Sequence, residues 1–76
     1  MRELVEFLVR ALVEQPDKVE VEEFEEDGDL VLEGSVAEDD LGRVIGRGGR
    51  IANAIRTVAR AAGARDDRRV IIDILD

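Results

Sequence analysis

The sequence predicts an α+β fold, with one three-stranded sheet and the helices packed on one face of that sheet. Apolar residues recur every three or four positions at the start of the chain and again in its second half, a spacing typical of amphipathic helices. Between these stretches, and again at the end of the chain, shorter runs have the alternation or the β-branched residues of strands. The predicted order is α-β-β-α-α-β, and the 76 residues are enough for one domain spanning 1–76.

The first helix is predicted over residues 2–14. Its apolar side chains lie on one face when the chain is wound at about 100° per residue: Leu4, Val5, Leu8, Ala11 and Leu12. Pro16 ends the helix, because a proline pushes the residue before it out of the helical region. The apolar stretch is interrupted by Glu6 and Arg10, so it predicts neither a signal peptide nor a membrane span, and we expect a cytoplasmic protein.

A β-hairpin is predicted next. Residues 18–26 alternate valines with acids, and Phe24 falls out of that alternation, which indicates a strand that could contain a bulge. Asp27-Gly28 is a strong signal for a hairpin turn, and residues 30–36 form the second strand.

Three elements are predicted in the second half of the chain. A short helix is capped by Asp39 or one of its neighbours, and a longer apolar helix covers residues 51–62. Gly63 is placed to end the longer helix. Residues 70–75 form the third strand, whose β-branched residues on both faces are typical of a central or partner-covered strand.

The composition argues against most catalytic and metal-binding chemistry. The chain contains no Cys, His, Tyr or Trp, so it offers no disulfide, no thiolate or imidazole ligand and no Ser-His or Cys-His pair. The adjacent acids Asp39-Asp40 and Asp66-Asp67 could in principle hold Mg²⁺, but such pairs are more often solvated or cap helices. We expect no catalytic residue, no metal, no cofactor and no small-molecule substrate.

Charge is distributed unevenly along the chain. The net charge is −8, yet residues 1–40 carry fifteen acids and three bases, whereas residues 41–76 carry four acids and eight arginines. The second part therefore has an excess of positive charge, which indicates a basic face on an acidic body. For Arg56, Arg60 and Arg65, ordinary exposure or pairing with glutamates is the simpler interpretation.

The motif with the clearest chemistry is Val44-Ile45-Gly46-Arg47-Gly48-Gly49-Arg50-Ile51. Its glycines permit positive φ angles and carry no Cβ atom, so a ligand can approach the backbone N–H groups of the turn. These groups lie at the start of a helix, where the dipole favours negative charge. Arg43, Arg47 and Arg50 add positive charge beside them. This combination suits a chain of phosphates better than a single phosphate.

Other interpretations of the glycines are possible. A tight corner between two helices uses the same turn with no ligand, and for the turn alone that alternative stays open. A dinucleotide-binding fingerprint needs a preceding strand and a longer βαβ unit, and a Walker loop needs Gly-Lys followed by Ser or Thr; neither is present. A single Arg-Gly-Gly triplet is not a low-complexity tract.

Three stretches together resemble a KH domain, in the helix-first form called type II. They are Glu3-Leu4-Val5-Glu6-Phe7, Gly42-Arg43-Val44-Ile45-Gly46-Arg47-Gly48-Gly49-Arg50-Ile51-Ala52-Asn53-Ala54-Ile55-Arg56-Thr57-Val58, and Val70-Ile71-Ile72-Asp73-Ile74-Leu75-Asp76. The resemblance covers essentially the whole chain and is to the small bacterial single-KH proteins of the KhpA type.

The resemblance implies that the chain binds single-stranded RNA, with about four nucleotides held by the Gly-x-x-Gly loop. The residues implied in binding are Arg43, Ile45, Gly46, Arg47, Gly48, Gly49, Arg50 and Ile51. Among them, Ile45 and Ile51 would line an apolar floor beneath the bases, with the third strand as the opposite wall. Arg43 and Arg50 are the side chains most expected to contact phosphates.

The family is also associated with a larger KH-containing partner of the Jag/KhpB type and with RNA-linked control of cell elongation and division. The resemblance therefore implies an RNA chaperone or post-transcriptional regulator. The alternative is an adaptor that mainly binds protein, dimerises with the larger KH partner and touches RNA weakly. The acidic first half of the chain keeps that alternative open.

A dimer contact is predicted on the long helix, because its apolar arc is about 180° wide, more than one flank of a thin sheet needs. One side of this arc carries Ala52, Ile55 and Ala59, and the other carries Ala54, Val58 and Ala61. We expect one of the two groups to face the sheet. We favour the second group, centred on Val58, as the one that is left over and contacts another KH chain. That chain would be a second copy, the larger partner, or each in turn. The alternative, that the whole arc is core, stays open.

Overall fold

The computed structural model describes residues 1–75 of the chain. The elements are the helix α1 (Arg2–Leu12), a 3₁₀ turn (Pro16–Lys18), the strands β1 (Glu20–Glu26) and β2 (Asp29–Ser35), the helix α2 (Glu38–Arg65) and the strand β3 (Val70–Ile74). The predicted α+β fold is confirmed, with small differences in the bounds. Within the described residues, no helix is long and apolar enough to cross a membrane.

The helix α1 ends at Leu12 rather than at residue 14, because Val13 is already extended, with φ −115° and ψ 163°. Pro16 begins the 3₁₀ turn, which the sequence did not predict. The buried line of α1 is formed by Val5 and Val9, each 1% exposed. Leu12 is 40% exposed and Ala11 is exposed too, so the face predicted from the sequence is centred too far from Val9.

The three strands form one sheet in the order β1-β2-β3, in which β1 and β2 are antiparallel and β2 and β3 are parallel. Pairing of β1 with β2 is uninterrupted from Glu20–Ser35 to Glu26–Asp29, so the bulge that the sequence allowed is absent from β1. Phe24 leaves the valine alternation because it lies on the face of the sheet opposite to Val21.

The strand β3 is an edge strand, which corrects the expectation of a central position. Its residues Val70 and Ile72 are buried in the core, whereas Ile71 on the other face is 37% exposed. Within this chain β3 is therefore not a central strand, and its coverage by a partner stays a prediction.

The helix α2 consists of two helical segments, residues 38–45 and 50–65. The four residues Gly46 to Gly49 between them have non-helical φ and ψ angles. The sequence prediction of two helices joined by a glycine turn is confirmed by these angles.

The start of α2 corrects the predicted cap. Its N-cap residue is Ala37, with no side-chain cap, and Asp39 is exposed. Asp40 is only 1% exposed. Its Oδ1 accepts a hydrogen bond from the backbone N–H of Glu14 at 2.9 Å, and its Oδ2 accepts one from Gln15 at 3.0 Å. Asp40 thus satisfies two donors beyond the end of α1 and ties the two helices together.

The core lies between the helices and the inner face of the sheet, around Leu32 and Ile55. Gly63 belongs to this packing and does not end α2, which continues to Arg65. A Cβ atom on Gly63 would collide with Cγ2 of Val70 and would lie 2.8 Å from the carbonyl oxygen of Arg68. The glycine therefore permits the close approach of α2 to β3, a role that differs from the predicted helix stop.

Candidate nucleic-acid interface

The turn between the two segments of α2 has an uncommon backbone conformation. Arg47, Gly48 and Gly49 have φ angles of 52°, 71° and 75°, all in the left-handed region. Glycine adopts this region without the steric cost that a Cβ atom imposes, whereas Arg47 bears that cost. A strained non-glycine residue inside an exposed turn is the kind of feature that clusters at ligand-binding sites.

The space over the turn is open. A Cβ atom built on Gly46 or on Gly48 would meet no atom within 4 Å. On the other side of the turn, a Cβ on Gly49 would lie 3.7 Å from Nδ2 of Asn53. A ligand can therefore reach the backbone of the turn from its solvent side, next to the first residues of the second helical segment.

A cleft of about 390 Å³ lies beside the turn and is lined by Gly42, Arg43, Gly46, Arg47 and Ile51. Four of these are among the eight binding residues predicted from the sequence. The other four predicted residues, Ile45, Gly48, Gly49 and Arg50, belong to the same segment but do not line the cleft.

The two isoleucines of the predicted apolar floor differ in their surroundings. Ile51 is partly buried, packs against the hydrophobic core and lines the cleft. Ile45 is 46% exposed and does not line it. The strand β3, expected as the opposite wall, does not line this cleft either.

The arginines near the turn have different partners. Nη2 of Arg43 donates a hydrogen bond to Oε1 of Glu14 at 2.9 Å, so this guanidinium is paired with a carboxylate. Arg47 and Arg50 are both exposed, and neither forms an ion pair within residues 1–75. The positive charge available to an anion is therefore concentrated at Arg47 and Arg50.

A second, larger cleft, of about 530 Å³, is one that the sequence reasoning missed. It is lined by Arg56, Arg60, Arg68 and Arg69 together with Val70, Ile71 and Ile72 of β3. Arg56 and Arg60 lie one turn apart on α2, and Arg68 and Arg69 directly precede β3. The short connection at residues 66–69 turns the chain back from α2 into β3 and brings the two pairs together. The concentration of arginines in the second half was the available signal.

Arg56 is more than an ordinary surface arginine. Its Nε donates a hydrogen bond to the carbonyl oxygen of Ile72 at 3.3 Å, and its Nη1 donates one to Oδ1 of Asn53 at 3.2 Å. It therefore joins the helix to the exposed edge of β3, and it pairs with no carboxylate of the described chain. Arg68 and Arg69 do form ion pairs, with Glu25 at 3.5 Å and Asp29 at 3.8 Å.

The two sides of the long apolar arc have separate environments. Ala52, Ile55 and Ala59 are 3%, 1% and 0% exposed and belong to the core. Val58 is 43% exposed, and Ala54 and Ala61 are exposed beside it. The group centred on Val58 is thus not part of the core of this chain, and its role as a dimer contact stays a prediction.

The chain begins with a helix and a β-hairpin, continues with two helical segments joined by a glycine turn, and ends with a third strand of the same sheet. This is the arrangement of a type II KH domain. Comparison with known proteins agrees. The family described as KhpA/KhpB, KH domain, matches residues 2–74, and the chain belongs to that family.

Three relatives, each named RNA-binding protein KhpA, are similar to the chain over nearly its whole length. The protein from Clostridium acetobutylicum is 44% identical over 75 residues, 99% of this chain and 100% of the relative. The protein from Halalkalibacterium halodurans is 47% identical over 76 residues, 100% of both chains. The protein from Borreliella burgdorferi is 46% identical over 74 residues, 97% of this chain and 90% of the relative. No solved structure matches the chain significantly.

Proposed function

We propose that this chain binds single-stranded RNA and holds about four nucleotides with the turn at residues 46–49 and the cleft beside it. The observation that carries the proposal is the run of left-handed φ angles at Arg47, Gly48 and Gly49 in a turn whose solvent side is open. Relatives named RNA-binding proteins, similar over nearly the full length of the chain, support it.

The sugar-phosphate chain would lie along the turn. Backbone N–H groups at the start of segment 50–65 would donate to phosphate oxygens, aided by the helix dipole. Arg47 and Arg50, which have no carboxylate partner in the described chain, would add charge-assisted hydrogen bonds. Ile51 in the cleft would contact a base. The residues of the proposed site are only arginine, glycine and isoleucine, which offer no nucleophile or general base, so we expect binding rather than catalysis.

A dimer would make so small a site effective. We infer that Ala54, Val58 and Ala61 pack against another KH chain, either a second copy or a larger KH-containing partner. Joining two sites of about four nucleotides makes the second binding event intramolecular and raises the apparent affinity. A paired module of this kind suits an RNA chaperone or post-transcriptional regulator. The proposed ligand makes the cytoplasm the compartment in which we expect it to act.

A second candidate function is an adaptor whose main ligand is the partner protein. It is favoured by the exposed group around Val58 and by the net charge of −8, which opposes nucleic acid away from the arginines. In that case the glycine turn would bind RNA only weakly, and binding of the partner protein would be the main function.

Crosslinking of RNA in cells, followed by sequencing, separates the two candidates. We expect the wild-type chain to recover a broad set of RNAs and a variant with acids in the turn, Arg47→Asp with Gly48→Asp, to recover few. If the wild-type chain recovers no RNA while it still co-purifies with its partner, the adaptor function holds and the RNA proposal is wrong.

A further inference from the structure

The sheet has an outer face that points away from the helices. Around the middle of this face, strand register and alternation place residues 22, 24 and 26 of β1, residues 29, 31 and 33 of β2, and residues 71 and 73 of β3. None of these residues belongs to the hydrophobic core cluster, which is built from the other face. We call these eight positions the outer face.

An apolar row crosses the outer face. Phe24 pairs with Val31, and Val31 pairs with Ile71, so one side chain from each strand lies in a line perpendicular to the strands. Val31 is 7% exposed between its two neighbours, but Phe24 and Ile71 are each 37% exposed. With strands about 4.8 Å apart, the row is about 10 Å long.

Acids flank the apolar row on both sides. Glu22, Glu33 and Asp73 form a cross-strand row on one side, and Glu26 pairs with Asp29 on the other. Like charges directly opposite one another destabilise a sheet. Only Asp29 among these five has an ion pair within residues 1–75, with the exposed Arg69. Within residues 1–75, no group of three or more acids is arranged to hold a metal ion.

We propose that the outer face docks a lysine- or arginine-rich amphipathic helix of a partner protein. The acid rows lie two residues, about 7 Å, to either side of the apolar row. A helix lying along that row would place its apolar stripe on Phe24, Val31 and Ile71 and its basic side chains over the acids on both flanks. A shallow depression of about 250 Å³ lies there, lined by the apolar row and by acids and by no basic residue.

Other occupants fit the same face less well. RNA phosphates would be repelled by five carboxylates. A second copy presenting its own outer face would set acids against acids. A second copy presenting its arginines would form a contact between two different surfaces, which builds rings or open chains rather than a two-fold dimer. The inference is independent of the RNA site, because the outer face contains none of residues 43–51.

The test uses the full chain and a synthetic amphipathic helix of leucine and lysine, about four turns long and labelled for fluorescence anisotropy. We expect Phe24→Ser and Glu33→Lys each to weaken binding about tenfold or more. The matched controls are Phe7→Ser and Glu3→Lys, both on the exposed side of α1, and each should change binding less than about twofold. Ile71→Thr, which keeps a β-branched residue in β3, repeats the test if Phe24→Ser does not fold.

Amide chemical shifts locate the contact. We expect addition of the peptide to change the amide chemical shifts of residues 22–26, 29–33 and 71–73 and to leave those of residues 43–51 unchanged. Equal weakening by the α1 controls, or shifts spread over all acidic surfaces, would mean that net charge alone attracts the peptide and would overturn the proposal. The proposal would also be overturned if a single-stranded oligonucleotide changed the amide chemical shifts of the outer face. The same holds if the wild-type chain self-associates and Phe24→Ser makes it monomeric.

Discussion

Arg43 donates a hydrogen bond to Glu14 at 2.9 Å, which pairs a side chain of the proposed RNA site with a carboxylate after α1. Both side chains are largely exposed, at 50% and 71%, so the pair is weak and can open when a phosphate competes. In the proposed complex, Glu14 would therefore compete with a phosphate for Arg43 at the edge of the cleft.

Replacing Glu14 by Gln should therefore strengthen RNA binding. An exposed pair contributes about 0.2–1 kcal/mol, so the dissociation constant for a short single-stranded oligonucleotide should fall by a factor of about 1.4 to 5. Asp17→Asn removes one exposed acid that has no ion pair in the described chain and serves as the control for net charge. An equal gain in both variants would show that the pairing with Arg43 does not matter.

The buried carboxylate of Asp40 should be important for stability. Asp40→Asn keeps the shape but replaces one acceptor oxygen by an NH₂ group that faces a backbone N–H, of Glu14 or of Gln15. We expect a loss of about 1–3 kcal/mol in the free energy of unfolding, measured by urea denaturation. The neighbouring Asp39→Asn changes an exposed acid and should cost much less. Equal losses would refute the role given to the two hydrogen bonds.

The exposed group around Val58 should control oligomeric state. Val58→Asp places a charge at the proposed contact between chains without entering the core, since Val58 is 43% exposed. Light scattering should show a folded monomer for this variant and a dimer for the wild type, whereas Leu75→Asp, at a residue that is 44% exposed, should remain dimeric. Unfolding of Val58→Asp would assign the residue to the core. A wild-type chain that is monomeric at tens of micromolar would rule out the self-dimer.

The salt dependence of RNA binding should be shallow. With two to four arginines near the nucleic acid, the slope of log K against log salt should be about −1 to −3, at about 0.7 per phosphate for single strands. A slope near −6 would mean that the arginines of the second cleft, at positions 56, 60, 68 and 69, also contact the RNA. Titrations over a range of salt concentrations measure this directly.

The sequence predicts much of the fold because periodicity and turn residues act locally. The glycine turn, the hairpin and the order of elements follow from such local signals. Phe24 suggested a bulge because alternation alone cannot tell an irregular strand from an apolar residue on the outer face. The packing of Gly63 against Val70 was missed because it depends on how closely two distant elements approach.

The candidate site was predictable to a similar degree. The phosphate binding proposed for the turn follows from glycines and arginines that are close in sequence. The hydrogen bonds from Arg56 to Ile72 and from Glu14 and Gln15 to Asp40 join residues far apart along the chain, and no local pattern marks them. For the same reason the sequence gives no sign that Glu14 is the partner of Arg43.

The most direct test of the proposed RNA site is binding of a short single-stranded oligonucleotide by the double variant Arg47→Asp, Gly48→Asp. The variant puts two negative charges where phosphates are expected, in an exposed turn outside the core. Aspartate at Gly48 must adopt a φ near 71°, a strain of about 1–2 kcal/mol that should leave the domain folded. The matched control, Ala64→Asp with Arg65→Asp, makes the same change of charge at exposed positions at the far end of α2. We predict that circular dichroism shows both variants folded and that only the turn variant loses RNA binding; normal binding by the folded turn variant would contradict the assignment of the site.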